Sequence, residues 1–475
     1  MNGIAACLAA ALGADRVLTG DAIPPRHAAD ASGLAPTPPL ALVLPRTTED
    51  VSTTLRLCHA AGQPIVVQGG LTGLAGGAHP RTAEVAISLE RMRGVEEVDI
   101  AAGTLTALAG TPLQQVQEAA EAHGLLCGID LGARGTCTIG GNVATNAGGN
   151  QVLRYGMARR NVLGLEAVLA DGTILRSLNK MLKNNAGYDW TQLFIGSEGT
   201  LGIVTRVVIG LHPRPSGIAT ALLAVGGMAD ALATLAALER RLTGGLLAFE
   251  AMWHEFMAIA TDRLGLARPF DAPHEILLLV EAASANRAEL EAVLADLMAA
   301  GTVGDAIVAG SGRDRARLWA YRESPYEYGR IFAGYVGFDV SIPRAQMGAA
   351  VAALRGAVSA AWPDAPQGYF GHVADSNLHV MVMPGSLDTA TRQAVEQLVY
   401  GIVASFGGSV SAEHGIGRNK LPYLPLSRSA PELALMATLK VALDPRGILN
   451  PGRVLDLHAG GAPHQPGPSA TKGDA

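Results

Sequence analysis

The sequence predicts an α+β fold in two main domains. Three observations carry that expectation. The 475 residues are enough for two or three domains, and a composition 49% hydrophobic and 16% charged calls for a large packed core. A Pro/Gly break at Pro213 to Gly217 reads as a domain boundary. Strand-type and helix-type runs are mixed on both sides of it, and after the break they read as a sheet with helices. The expected partition is a helical lead-in over 1–35, a first domain over 36–214, a second over 215–455, and a disordered Gly/Pro/Ser/Ala-rich tail over 456–475.

The elements follow in order. Met1 to Gly13 is apolar, with no Lys or Arg before Arg16, so it reads as a helix rather than a signal peptide. Thr47-Thr48-Glu49-Asp50 supplies a cap for a helix over Val51–Ala61. Pro64 to Gln68 reads as a buried strand, and the Gly-rich loop Gly69 to Gly77 follows it. Residues 85–89, 95–100 and 103–109 read as strands, and 112–123 has helical periodicity. A second Gly-rich stretch, Cys137 to Gly149, precedes a hairpin turning at Asp171-Gly172. Gly196 to Gly202 is a third Gly-rich turn, before a strand over 203–209. Beyond the break come a strand at 219–224, a helix at 228–242, strands at 246–253 and 275–281, a helix at 286–300 and a further strand. Residues 315–330 read as a helix kinked at Pro325, 334–342 as a strand, and 344–360 and 388–406 as helices, with a strand around His379.

Composition excludes several functions. A net charge of −6, no long basic run and only 4% aromatic residues argue against nucleic acid or an anionic membrane as partner. No run of ~18 apolar residues occurs, so no transmembrane helix is expected. Cys7, Cys58, Cys127 and Cys137 form no C-x-x-C pair, which speaks against a zinc ribbon or an iron–sulfur cluster. A reducing, cytoplasmic setting fits them, with peripheral membrane association left open.

The Gly-rich loops are the first functional signal. The one at 69–77 follows a strand but leads to Ala78-His79-Pro80-Arg81, not to an amphipathic helix, and no Walker lysine is present. Neither a dinucleotide fingerprint nor a P-loop is therefore present. A single such loop is ordinarily a tight turn. Three in one domain, carrying Thr72, Asn142, Thr145, Asn146 and Glu198, offer backbone amides for a pyrophosphate and side chains for a ribityl chain or heterocycle.

A second signal lies near the C-terminus, in Gly371-His372-Val373-Ala374-Asp375-Ser376-Asn377-Leu378-His379 and Ser411-Ala412-Glu413-His414-Gly415-Ile416-Gly417. His372 and His379 are seven apart, which would put them on opposite faces of one regular strand. The turn-forming Ala374 to Asn377 breaks that period and lets both imidazoles converge. With Glu413 they make a His2Glu set for a divalent ion with room for substrate or water, and His414 is left free as an acid/base.

The segments 64–78, 130–149, Leu153-Arg154-Tyr155-Gly156, 162–166, 194–205 and 447–451 resemble the FAD-linked 2-hydroxy-acid dehydrogenases of the vanillyl-alcohol-oxidase-type flavoproteins. The resemblance covers about residues 36–455 and is closest to the D-2-hydroxyglutarate dehydrogenase branch. D-lactate dehydrogenase and the flavin subunit of glycolate oxidase are also similar. It implies a two-subdomain FAD-binding domain of the PCMH type, a ferredoxin-like α+β substrate (cap) domain and a short C-terminal helical part returning to the flavin. It implies FAD contacts at Gly69, Gly70, Leu71, Thr72, Gly73, Leu74, Gly140, Gly141, Asn142, Thr145, Asn146, Gly149, Glu198, Gly199, Gly202, Ile203 and Asn450. No His or Cys lies between Gly69 and Gly77, so non-covalent FAD is expected.

The resemblance also implies zinc, manganese or a similar ion on His372, His379 and Glu413, His414 as base, and Arg322 as the grip on the substrate's first carboxylate. A guanidinium suits that task. Three nearby positions depart from the hydroxyglutarate branch: Tyr326 replaces a threonine, Gly337 a lysine and Met381 an asparagine. Tyr326 shares a face with Arg322 if the helix continues past Pro325. Gly337 shares a face with Asp339, and Met381 lies two beyond His379. Losing a cation and two polar groups leaves a second carboxylate poorly compensated. The expected activity is metal-assisted oxidation of a monocarboxylic D-2-hydroxy acid, D-lactate-like or with a larger apolar side chain, by hydride transfer to the flavin. D-2-hydroxyglutarate, and a glycolate-oxidase-like complex, are the alternatives. Electrons would leave to an electron-transfer flavoprotein, a quinone or an iron–sulfur subunit, and a homodimer is left open.

Overall fold

The computed structural model describes residues 3–457, built around three β-sheets. The tail expected from 456 falls outside the described residues after 457. The first sheet has four strands in the order Val17–Leu18, Ala41–Val43, Val85–Ser88, Ile65–Gln68. Its last three strands are parallel, with Ile65 and Ala41 both opposite Val85. Such strands are buried on both faces, as their apolar sequences require. The helix Thr48–Ala61 crosses over between two of them. Thr47 and Asp50 cap it reciprocally, and Gly62 ends it at φ 64°.

The second sheet has six strands, with the long Ile203–Pro213 at its centre. That strand pairs antiparallel with Thr104–Leu108, Val162–Val168 and Leu125–Cys127. The expected hairpin is present, Val162–Val168 pairing with Ile174–Ser177. Glu166 ties the second sheet to the helix Thr48–Ala61: its buried carboxylate accepts from Thr48 Oγ1, Thr205 Oγ1 at 2.8 Å and Arg206 Nη1 at 2.7 Å.

After Pro213 the chain builds a seven-stranded sheet in the order Asp305–Val308, Ile218–Val225, Ile276–Ala283, Leu246–Trp253, Gln367–Gly371, Asn377–Val382, Val336–Ser341. Alternation divides its side chains. Ala221, Leu223 and Val225 face a core shared with the helices Met228–Leu242, Arg287–Ala299, Met347–Ala361 and Thr389–Ser405. Leu222 and Ala224 face a second core rich in aromatics, including Phe256, Trp319, Tyr328 and Phe370. That second face looks toward the Gly-rich loops.

Two differences from the sequence reading bear on function. The helix expected over 315–330 runs only through Gly312–Arg322, and Ser324–Arg330 is a 3-10 helix. Pro325 has no N–H to continue the α ladder and disfavours α geometry in the residue before it. The strand Gln367–Gly371, which delivers His372, was not anticipated. Its two glycines hide its β pattern.

Candidate active site

The three Gly-rich loops wall one side of a cavity of about 430 Å3, and the aromatic face of the third sheet walls the other. Close packing leaves no room for side chains here: a Cβ on Gly70 would stand 2.1 Å from the backbone oxygen of Thr136, just before the second loop, and one on Gly140 2.5 Å from Ala109 Cβ. Four non-glycine residues adopt positive φ at or beside the cavity: Leu71 at 60°, Asn146 at 50°, Glu198 at 52° and Asn450 at 42°. Backbone strain of this kind collects at functional sites.

Of the expected flavin contacts, every one but Asn146 lines the cavity. The side chain of Asn146 turns away, accepting from Arg159 N at 2.9 Å. Its left-handed backbone aims it at the next turn of chain rather than at the cavity. Glu198 and Asn450 line the wall but are already engaged. Glu198 accepts from Ile416 N at 2.7 Å and Gly417 N at 2.8 Å, and burial raises its pKa. Asn450 accepts from Val67 N at 2.9 Å and donates to Glu198 O at 2.6 Å. Asn142 is different. Its buried amide Nδ2 meets no hydrogen-bond criterion with any partner, lies near the Cys137 thiol, and belongs to a residue that lines the cavity. A polar ligand filling the cavity would satisfy it.

The histidines converge as the turn predicts. His372 follows the strand Gln367–Gly371, a 3-10 turn spans Val373–Asp375, and Ser376 at φ 74° returns the chain into Asn377–Val382. The two imidazole centroids are 5.8 Å apart, and the rings of His379 and His414 stack at 6.4 Å. Ligand atoms of His372, His379 and Glu413 all lie within 4.8 Å of one another. Glu413 also accepts from Gly149 N at 2.7 Å, so the second Gly-rich loop touches this cluster directly.

Two carboxylates behind the cluster were missed in the sequence. Glu250 is buried and hydrogen-bonds His372 Nδ1, and it accepts from Arg322 Nε at 2.7 Å. Its signal was a lone acid in the apolar strand Leu246–Trp253. Burial raises its pKa, but His372 and Arg322 outweigh that and hold it at about 2. Burial lowers the pKa of His372, and Glu250 overrides this and lifts it to about 9. His379 goes the other way, pushed well below its ordinary range by burial and then by Arg322. Fixing Nδ1 by a carboxylate leaves Nε2 of His372 as the outward donor, the arrangement found behind metal-ligating histidines. Asp339, the second carboxylate, lies against His414.

Arg322 lines the cavity with its guanidinium 4.6 Å over the Phe370 ring. Tyr326 lines it too, although the helix does not continue, and its hydroxyl lies 2.2 Å from where a Gly132 Cβ would be. Gly337 and Met381 are not brought to the wall. They pair with each other one column beyond Asp339 and His379, and Met381 is buried in the aromatic core with Phe370.

Residues 39–177 match the FAD binding domain and residues 214–454 the C-terminal domain of FAD linked oxidases. The chain belongs to the FAD-linked oxidase family. It is 41% identical to "D-2-hydroxyglutarate dehydrogenase, mitochondrial" of Bos taurus, over 88% of this chain and 77% of that one. It is 38% identical to D-2-hydroxyglutarate dehydrogenase of Xanthomonas citri pv. viticola, over 88% and 90%. The solved structure of p-cresol methylhydroxylase with substrate bound superposes at a TM-score of 0.76, at 17% identity, over 95% of this chain and 96% of that one. The PCMH-type FAD-binding fold is thus shared, and the protein is an FAD-dependent oxidoreductase of this family. Among the described residues no helix is long and apolar enough to cross a membrane.

Proposed function

We propose that this protein oxidises a D-2-hydroxy acid to the 2-oxo acid, using non-covalent FAD and a divalent ion, and that its substrate carries one carboxylate. Bound FAD supplies the hydride acceptor. An ion held by His372, His379 and Glu413 supplies Lewis acidity toward the hydroxyl oxygen. The chain's own residues do the rest. Arg322, with Nε fixed by Glu250 and Nη2 3.4 Å from His372 Nε2, presents its guanidinium to the cavity for the substrate carboxylate. His414 lines the cavity and accepts the hydroxyl proton. The Gly-rich loops and Phe370 wall the cavity on opposite sides. The donor set suits the ion, and the unsatisfied Asn142 amide suits the flavin.

The observation that carries the substrate class is the cavity wall. Among the described residues Arg322 is the one Arg or Lys lining it, beside the His–His–Glu cluster. The adjoining column across the strands is Gly368, Met381 and Gly337, opposite one another in register. It offers no cation and no polar side chain to a second carboxylate, and leaving one uncompensated is costly. D-2-hydroxyglutarate is the second reading, favoured by the names of the relatives. Electrons leave to a separate acceptor.

Anaerobic flavin reduction against D- and L-2-hydroxy acids, with and without a chelator, tests the proposal. We expect D-monocarboxylates with apolar side chains to give the highest kcat/KM, and chelation to abolish reduction. A best substrate of D-2-hydroxyglutarate refutes the monocarboxylate reading, and indifference to chelators refutes the metal.

A further inference from the structure

Asp339 stands in the strand Val336–Ser341 with its side chain wholly buried. Its Oδ2 accepts from the backbone N–H of both Glu413 and His414, each at 2.9 Å. The same oxygen is 3.7 Å from His414 Nδ1. Its Oδ1 accepts from Asn377 Nδ2 at 2.8 Å, on the first residue after the turn between His372 and His379. Lys420 supplies the countercharge. Its Nζ lies 3.7 Å from Oδ2 and donates to Asp339 O and Ser411 Oγ, both at 3.1 Å.

Structural packing alone does not demand such a residue. A buried charge costs several kcal/mol unless every oxygen is occupied. Here each oxygen is occupied, and by the groups that carry the chemistry.

We propose that Asp339 is the positioning residue for the base. It fixes the backbone at 413–414 and faces Nδ1 of His414, so that Nδ1 keeps its proton and Nε2 is the proton acceptor. This rests on the reading of His414 as base. In the reaction the substrate O–H bond breaks and its proton goes to Nε2. The C2–H bond breaks with its electron pair going to FAD, so the hydroxy acid is oxidised and FAD reduced. Asp339 takes no proton. A carboxylate behind a catalytic imidazole acts in the same way in hydrolase triads.

The test is Asp339→Asn in the full-length holoenzyme, with His414→Ala alongside. FAD and metal content are measured first, by absorbance and elemental analysis. Flavin reduction is then followed under single turnover in H2O and D2O. We expect Asp339→Asn to keep FAD and metal, to reduce its flavin at least ~100-fold more slowly, as general-base catalysis is worth, and to show a larger solvent isotope effect than wild type. KM should change far less than kcat. A rate within threefold of wild type overturns the proposal, as does a fall fully explained by lost metal. Should that variant not yield holoenzyme, Asn377→Ala, which frees Oδ1, decides by the same isotope effect: a rise supports the proposal and no change overturns it. A wild-type rate retained in His414→Ala overturns the parent reading instead, which separates the two failures.

Discussion

Replacing Glu250 by Gln should cost the fold ~3 kcal/mol at neutral pH and change the shape of its pH–stability curve. Glu250 is 1% exposed, between His372 Nδ1 and Arg322 Nε. Its fall from an ordinary 4.5 to about 2 is worth ~3 kcal/mol, at ~1.4 kcal/mol for each tenfold change in proton affinity. The rise of His372 from 6.5 to about 9 reports the same interaction and is not added to it. A depressed carboxyl stabilises above its unfolded pKa, so this contribution is lost as pH falls from 4.5 toward 2. A raised imidazole stabilises below its unfolded pKa, so the metal-free protein also loses it as pH rises from 6.5 toward 9. Denaturant unfolding of chelator-treated protein from pH 3 to 9 would reveal a dome centred between 4.5 and 6.5. Glu250→Gln should flatten that dome and lower the plateau, because Arg322 is left buried without its partner. An unchanged curve in the variant would refute the ion pair as the stabilising contact.

Two further outcomes follow from the loops. Gly70→Ala sets a methyl 2.1 Å from Thr136 O and 2.8 Å from Cys137 Cα, so backbone must move; we expect a loss of about 1–3 kcal/mol and a purified protein short of FAD, read from its visible absorbance. Glu198→Gln turns an NH2 toward the N–H of Ile416 or Gly417; it should cost about 1–3 kcal/mol and speed amide exchange at 415–417, and unaltered exchange there would count against the clasp.

The parts legible in the sequence were those with a local signature. Thr47 and Asp50 form a capping box at the expected cap, and the helix begins at Thr48, three residues before the expected Val51. The turn 374–377 carries its own backbone preferences, so the meeting of His372 and His379 could be read from nine residues. Glycine spacing marked nearly every loop residue that lines the cavity. What stayed hidden depends on partners distant in the chain. Glu250 is 122 residues from His372 and matters only once Leu246–Trp253 lies beside Gln367–Gly371. Asn146 shares its loop's composition but is turned away by one positive φ. Met381 has the right alternation, yet alternation fixes a face and not a depth, and the cavity ends one column earlier.

The seam between the Gly-rich loops and the loop Glu413 to Gly417 is closed from both sides by carboxylates. Glu198 reaches out of the third Gly-rich loop to Ile416 N and Gly417 N, and Glu413 reaches back to Gly149 N. Glu198 holds φ at 52°, a conformation that costs a non-glycine residue about 1–2 kcal/mol. Two charge-assisted bonds to backbone N–H, at about 1.5–3 kcal/mol each, exceed that cost. The strained backbone is thus stabilised by its contact with the loop that carries Glu413 and His414. On the proposed roles of His414 and the Gly-rich loops, the spacing between base and flavin is set by this same pair of carboxylates.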